Sequence, residues 1–288
     1  MLNLFSKKQL RPVWQYTCDG ILWRLKVSNN RLILGEDRNT EAKTVSYFCV
    51  EETTGKILWK NLKFDEPFWI GINAVYNNVA YFHEYESPSM PEQKKIIAVD
   101  ILNGKQLWKN NDLKFLFAHN SFLYATKDSF EKRFFFELDS KTGTILREIN
   151  DTNELNALHN QSEETQPYHS LQLPTLILKD EFLSNSFYKH LLKNIPLQKL
   201  SGDFEIFENE NYLVICFYEN TNENPFELKL NQHLHIYDKA KFLRQVFVEI
   251  ITTNASLTLL DTFFVKNNFL YFIKDKKNLT AINLKSSI

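Results

Sequence analysis

Short apolar runs separated by polar turn signals fill most of the chain, and three stretches repeat one pattern. Cys49–Trp59 reads CVEETTGKILW, Ala98–Trp108 reads AVDILNGKQLW and Glu137–Arg147 reads ELDSKTGTILR. Each has an acidic residue, then Thr-Gly or Asn-Gly three and four positions later, then a large residue four positions after the glycine. That order predicts a strand, a tight turn with glycine in the left-handed region, and a second strand. Gly55, Gly104 and Gly143, the turn glycines, are 49 and 39 residues apart.

A second marker recurs out of phase with the first. Asn29-Asn30, Asn77-Asn78, Asn120-Ser121, Asn209 to Asn211 and Asn267-Asn268 each separate two apolar runs. Asn tolerates positive φ better than any residue except Gly, so each is a predicted hairpin turn. Runs such as Phe269 to Ile273 are apolar at successive positions, as strands covered on both faces are. Each unit therefore reads as a small antiparallel sheet, legible over about residues 21–60, 69–109, 113–149, 200–249 and 251–288. Sheets repeated radially form a β-propeller. The expected fold is all-β: one domain over residues 1–288, a propeller of four-stranded antiparallel blades, five by this count with six left open. The fourth unit is worn, since Asp238 keeps the acidic position while Lys241-Phe242 replace Thr-Gly. The last unit stops before its final strand, and the segment Arg11 to Tyr16, with Trp14, reads as that strand. An N-terminal strand is thus expected to close the last blade.

The motif A-x-D-x-x-T/N-G-x-x-x-W resembles the PQQ-like, quinoprotein-type β-propeller repeat. Ala98, Asp100, Asn103, Gly104 and Trp108 match it fully, and Gly55 with Trp59 match it well. The third copy keeps Asp139 and Gly143 but has Arg147 where the Trp would stand. The layout also resembles an uncharacterised bacterial family with this propeller and no assigned function. The resemblance is specific over residues 11–149 and weak beyond. It implies that each Trp packs between neighbouring blades. It also raises quinone-dependent dehydrogenases, which are about twice as long, with eight blades and a calcium ion. No Asp and Asn cluster with calcium-loop spacing occurs here, so neither quinone nor any other cofactor is expected.

Residues 150–199 interrupt the series and read as an insertion, favoured over a degenerate sixth blade. Asn150 to Gln166 is polar and reads as a loop. From Asp180 to Asn194 the residues Phe182, Leu183, Phe187, Leu191 and Leu192 recur at helical spacing, predicting a helix whose apolar face packs on the propeller. A longer connecting loop is expected around Met90, between Pro88 and Pro91.

Composition sharpens the turn argument. The chain has 41 Phe, Tyr and Trp residues, 29 Asn and only seven Gly, so most turns must be made without glycine. A net charge of −1 gives no electrostatic reason to expect nucleic acid. Cys18, Cys49 and Cys216 are widely spaced and read as buried thiols. The N-terminal MLNLFSKK lacks the apolar core of a secretory signal, and no run approaches the ~20 apolar residues of a membrane span. A cytoplasmic protein is expected.

Candidate chemistry gathers at one predicted rim. Glu36 and Glu84 each lie six residues after an Asn turn, with Asp37, Arg38 and His83 beside them. Asp65, Glu66 and Trp69 enter the second unit at the same rim. Carboxylates grouped with Arg and His could perform acid–base work or bind a polar ligand; ordinary solvated salt bridges are the plainer reading. His233 and His235 share a strand face, but with no third ligand nearby they read as surface histidines on an edge strand, so no metal is expected. The leading function is a non-catalytic scaffold or binding module, meeting another protein through rim loops or the insertion helix. The competing one is a small hydrolase or lyase with its site around Glu36 and Glu84.

Overall fold

The structure, a computed structural model, describes residues 9–87, 89–222, 224 and 227–285. The N-terminal eight residues and Pro88, both read above, lie outside the described residues. The chain packs as two compact units: Cys18–Ser170, and Leu171–Ile288 together with the stretch that ends at Thr17. Among the described residues the strands pair antiparallel in five sheets.

In the unit Cys18–Ser170, three four-stranded meanders follow one another. The first is β2 (Ile21–Val27), β3 (Leu32–Asn39), β4 (Thr44–Glu51) and β5 (Ile57–Leu62). The second is β6 (Ile70–Tyr76), β7 (Val79–Ser87), β8 (Met90–Asp100) and β9 (Gln106–Asn110). The third is β10 (Lys114–His119), β11 (Phe122–Asp128), β12 (Arg133–Asp139) and β13 (Ile145–Ile149). Ser87 pairs with Met90, so Met90 lies in strand β8 and not in the expected longer loop. The other unit holds a five-stranded sheet, β14 (Thr175–Ile177), β15 (Leu200–Glu208), β16 (Tyr212–Asn220), β17 (Leu230–Asp238) and β18 (Arg244–Ala255). Its second sheet joins β19 (Phe263–Lys266), β20 (Phe269–Lys274) and β21 (Asn278–Asn283) to β1 (Pro12–Thr17), with Trp14 opposite Ala281. The missing strand of the last repeat is therefore the N-terminal one.

The repeated turn has one geometry in all three copies. The amides of Gly55, Gly104 and Gly143 donate to the carbonyls of Glu51, Asp100 and Asp139 at 2.8–2.9 Å. The acidic side chain then caps the turn: Asp139 Oδ1 accepts from the amides of Lys141 and Thr142, and Asp100 Oδ1 from that of Leu102. All three glycines are left-handed, at φ 68°, 72° and 71°. The Trp of one sheet then docks on the turn of the next. Trp59 Nε1 donates to Ile101 O at 2.7 Å and Trp108 Nε1 to Ser140 O at 2.9 Å. Apolar side chains fill the rest of each junction: Tyr47 and Cys49 meet Phe82 and Val99, while Tyr81 and Ala98 meet Leu123 and Leu138. Burying each such side chain contributes roughly 1.5–3 kcal/mol.

The worn fourth repeat keeps the turn without its glycine. Phe242 and Leu243 are left-handed at φ 53° and 56°, and the Phe242 side chain is fully exposed. A non-glycine residue in this region is strained by about 1–2 kcal/mol. Phe242→Gly is expected to stabilise the protein by about 1 kcal/mol in urea denaturation; a loss of stability would show that the ring makes contacts outweighing the strain. The Asn turns are less uniform than expected. Asn77, Asn120, Asn267 and Asn268 are left-handed, but in the first copy that role falls to Arg31. At the fourth, Asn209 Oδ1 instead accepts from the amides of Asn211 and Tyr212. Asn shapes turns by two mechanisms, backbone tolerance and side-chain capping.

Residues 150–166 correct the loop expectation: α1 (Thr152–Glu164) is a helix. Asp151 caps it by accepting from Asn153 N at 2.8 Å. Leu155 and Leu158, one turn apart, pack on Phe117, Tyr124 and Ile149 of the third sheet. Two apolar positions among many Asn and Glu are too few for periodicity to register. Further on, β14 adds a fifth strand to the fourth sheet, a departure from four-stranded units. Over 180–194 the structure has two short helices, α2 (Lys179–Ser184) and α3 (Ser186–Leu191), parted at Asn185, which caps α3 through Phe187 N at 2.9 Å. Phe182 and Leu192 are buried against Phe204, Ile215 and Phe217 of the sheet.

Candidate functional site

The eight rim candidates fall into two groups. Glu36, Asp37, Arg38, His83 and Glu84 are buried, whereas the Asp65 side chain is 97% exposed and Trp69 lies at the surface. Among the described residues Asp65 meets only Lys109 as an ion partner, at 3.6 Å. Glu66 Oε1 accepts from the amides of Phe68 and Trp69 at 3.0 and 2.8 Å, holding the approach to β6. Asp37 does the same for the approach to β2, accepting from Asp19 N and Gly20 N at 2.9 and 2.8 Å.

Arg38 is the centre of the buried group. Its Nε bonds Glu36 Oε1, while its two terminal nitrogens donate to Phe68 O at 2.7 Å and Ile70 O at 2.5 Å. The guanidinium also lies 5.0 Å from the Phe68 ring centroid. One side chain of the first sheet thereby fixes the first strand of the second. Glu84, opposite Ile70 in the second sheet, pairs with Lys95. Each carboxylate thus has its own cation, and the structure does not bring Glu36, Glu84 and Asp65 together.

The sequence reading missed Arg24, Tyr47 and Asn73. Arg24, Glu36 and Tyr47 stand opposite one another across β2, β3 and β4, so they share one sheet face. Only that register reveals the row. Arg24 donates to Ile72 O at 3.1 Å. Gly71 leaves the room beside it: a Cβ there would come within 3.2 Å of the His83 ring and 3.5 Å of Arg24 Nη1. Five polar atoms of this region are buried without a hydrogen-bond partner: Glu36 Oε2, Tyr47 OH, Asn73 Nδ2 and both His83 nitrogens. Burial, with Glu36 adding to it, raises the Tyr47 phenol well above its usual range, so it stays a neutral donor. This inventory offers one carboxylate acceptor, two donors and an imidazole to waters or a small polar molecule.

His83 makes stability depend on pH. Burial first, then Arg24 and Arg38, lower its pKa from 6.5 to about 4. The unfolded chain binds the proton more readily, so stability is fully present above pH 6.5 and is lost as pH falls toward 4. Between pH 7 and pH 5 His83 alone is expected to remove about 2 kcal/mol. Urea denaturation at both pH values checks this against His83→Gln, in which the pH slope should flatten; an unchanged slope would assign the effect elsewhere.

His233 and His235 correct another expectation. Both are buried, on a strand with neighbours on either side, because β17 runs between β16 and β18 and the helical segment packs on their sheet. Burial lowers both pKa values, that of His235 to about 4. Cys18, Cys49 and Cys216 are buried and outside any disulfide, and burial pushes the Cys49 and Cys216 thiols up to about 12. Among the described residues no helix is long and apolar enough to cross a membrane.

Comparison with known proteins adds one family. A family model described as a domain of unknown function (DUF4905) matches residues 27–108, the stretch that contains Glu36, Arg38, His83 and Glu84. No curated protein matches the chain. Among solved structures it is similar to a eukaryotic initiation factor at 10% identity and TM-score 0.34, with 88% of this chain and 48% of that one covered. The Dos1 propeller matches at 9% identity and TM-score 0.30, over 91% of this chain and 67% of that one. An uncharacterised protein from Listeria monocytogenes EGD-e matches at 10% identity and TM-score 0.34, over 94% and 68%. The chain thus spans about half the length of the initiation factor and 60% of a hydrazine synthase from Kuenenia stuttgartiensis, matched at 9% identity and TM-score 0.28.

Proposed function

We propose that the chain is a non-catalytic binding module carried on a five-bladed β-propeller of the PQQ-like type. The ring is supported by the Trp59 and Trp108 docks, which join consecutive sheets through one repeated turn. Solution scattering tests it: any compact single domain of this length, a closed ring included, has a radius of gyration of about 19 Å, and a markedly larger value would count against closure. The reading includes a cytoplasmic location, supported by three buried thiols outside any disulfide. It also includes a protein partner, supported by Phe187, half exposed on α3 beside the fully exposed Phe242.

The observation that carries the non-catalytic reading is the engagement of Arg38 with Glu36, Phe68 O and Ile70 O. A catalytic group must be available to substrate, whereas this one holds two sheets together. The deciding measurement is the melting temperature of Glu36→Gln. A scaffold residue lowers it when replaced; a catalytic residue, held at the expense of stability, leaves it unchanged or raises it. The enzyme reading keeps one support, the five unpartnered polar atoms around Glu36 and His83.

A further inference from the structure

The segment covering the fourth sheet leaves two imidazoles at one cleft. His233 and His235 are two residues apart on β17, so they leave the same face. The cleft, about 250 Å³, is walled by Leu191, Leu192, Ile195 and Val248, with both rings among its lining. His233 is 8% exposed and His235 6%.

Each ring has polar partners behind it. His233 Nε2 lies 3.1 Å from Glu219 Oε2. A carboxylate only accepts, so the proton sits on Nε2 and the lone pair on Nδ1. Tyr237 donates its hydroxyl to Leu191 O at 3.0 Å, which leaves its oxygen to accept from His235 Nδ1 at 3.2 Å. The Gln245 amide nitrogen lies 3.0 Å from the same His235 nitrogen, so a metal ion on the opposite nitrogen requires this amide to turn its oxygen to the ring. With the amide so turned the lone pair of His235 is on Nε2, an atom that is buried and has no hydrogen-bond partner. Phe217 stacks on His233 at 5.0 Å and meets His235 edge-on at 5.0 Å, fixing both rings.

The ring centroids are 5.8 Å apart. Two imidazoles sharing one ion at metal–nitrogen distances of ~2.0–2.1 Å place their centroids roughly 5.2 Å apart at a tetrahedral angle and about 6.4 Å when opposed. The observed spacing lies between these limits. We propose that His233 and His235 bind one divalent transition-metal ion of the imidazole-preferring kind, with Glu219 as the positioning carboxylate behind His233. Among the described residues no third His, Cys, Asp or Glu joins them. The remaining coordination positions open on the cleft, to water or to a donor atom of a second ligand. Such a site binds more weakly than a three-ligand zinc centre and follows the order copper over nickel.

The test uses untagged full-length protein at pH 7.5, titrated calorimetrically with copper and nickel salts. One ion per chain is expected, copper the tighter, with electron paramagnetic resonance of the copper form showing coupling to two nitrogens. His233→Asn and His235→Asn are expected to weaken binding at least tenfold, and Glu219→Gln, which leaves both ligands in place, by roughly 10-fold or more. Binding that persists unchanged in both histidine variants overturns the proposal. So does a wild-type copper spectrum without two-nitrogen coupling, a result that needs no variant to fold.

Discussion

Arg38→Met is expected to destabilise the protein by about 3–5 kcal/mol in urea denaturation. The reason is the state of its partner: Glu36 is fully buried, and one of its oxygens already lacks a hydrogen bond. Removing the guanidinium leaves an uncompensated carboxylate and two unpaired carbonyls, Phe68 O and Ile70 O, where the second sheet begins. Methionine retains much of the packing volume, so the loss reports electrostatics and hydrogen bonding. The double variant Glu36→Gln with Arg38→Met removes the stranded charge and should recover at least 1 kcal/mol relative to Arg38→Met alone. Additive single effects would mean that the pair is not coupled and that Arg38 acts through its bonds to Phe68 O and Ile70 O. The cycle also bears on function, since a strongly stabilising pair has little freedom to take part in chemistry.

The second large effect is expected at Gly143. Alanine there meets two independent penalties. At φ 71° a Cβ is strained by about 1–2 kcal/mol, and it would lie 2.6 Å from Cδ2 of Trp108, forcing the indole to move. Displacing a packed ring costs about 1–3 kcal/mol, and the bond from Trp108 Nε1 to Ser140 O is strained with it. Gly143→Ala should therefore lose about 2–5 kcal/mol. In a Trp108→Ala background the clash is gone and only the backbone strain of about 1–2 kcal/mol should remain. The same loss in both backgrounds would falsify the view that the glycine exists to admit the indole.

These two sites differ in how visible they were. Gly143 and Trp108 belong to successive copies of a motif whose parts lie within a few residues of one another, and each turn is made from local φ and capping. The Arg38 site is assembled from β2, β3, β4 and β6, and the residues that complete it, Arg24, Tyr47 and Asn73, sit in unremarkable strand sequence. Glu36 and Glu84 stand at equivalent distances from their Asn turns, yet each faces a different cation. The α1 helix was hidden for a related reason: its two leucines gain meaning only against Phe117 and Tyr124. His233 and His235 looked like an exposed pair because nothing near them in sequence announces that β18 and the helical segment cover them.

What the amino-acid sequence determined by itself was the turn series and the strands between the turns, since turn conformation is set by neighbours along the chain. The role of the tryptophans was implied by the resemblance to a repeat family, and the N-terminal origin of the last sheet's missing strand by the incomplete last repeat. What only the tertiary structure decided was which polar side chains are buried together, which carboxylate meets which cation, and which histidine nitrogens are buried without a partner. Those depend on cross-strand register and on the layer packed above each sheet. A shift of one residue in pairing would turn Glu36 and His235 to opposite faces, and no local pattern carries that information.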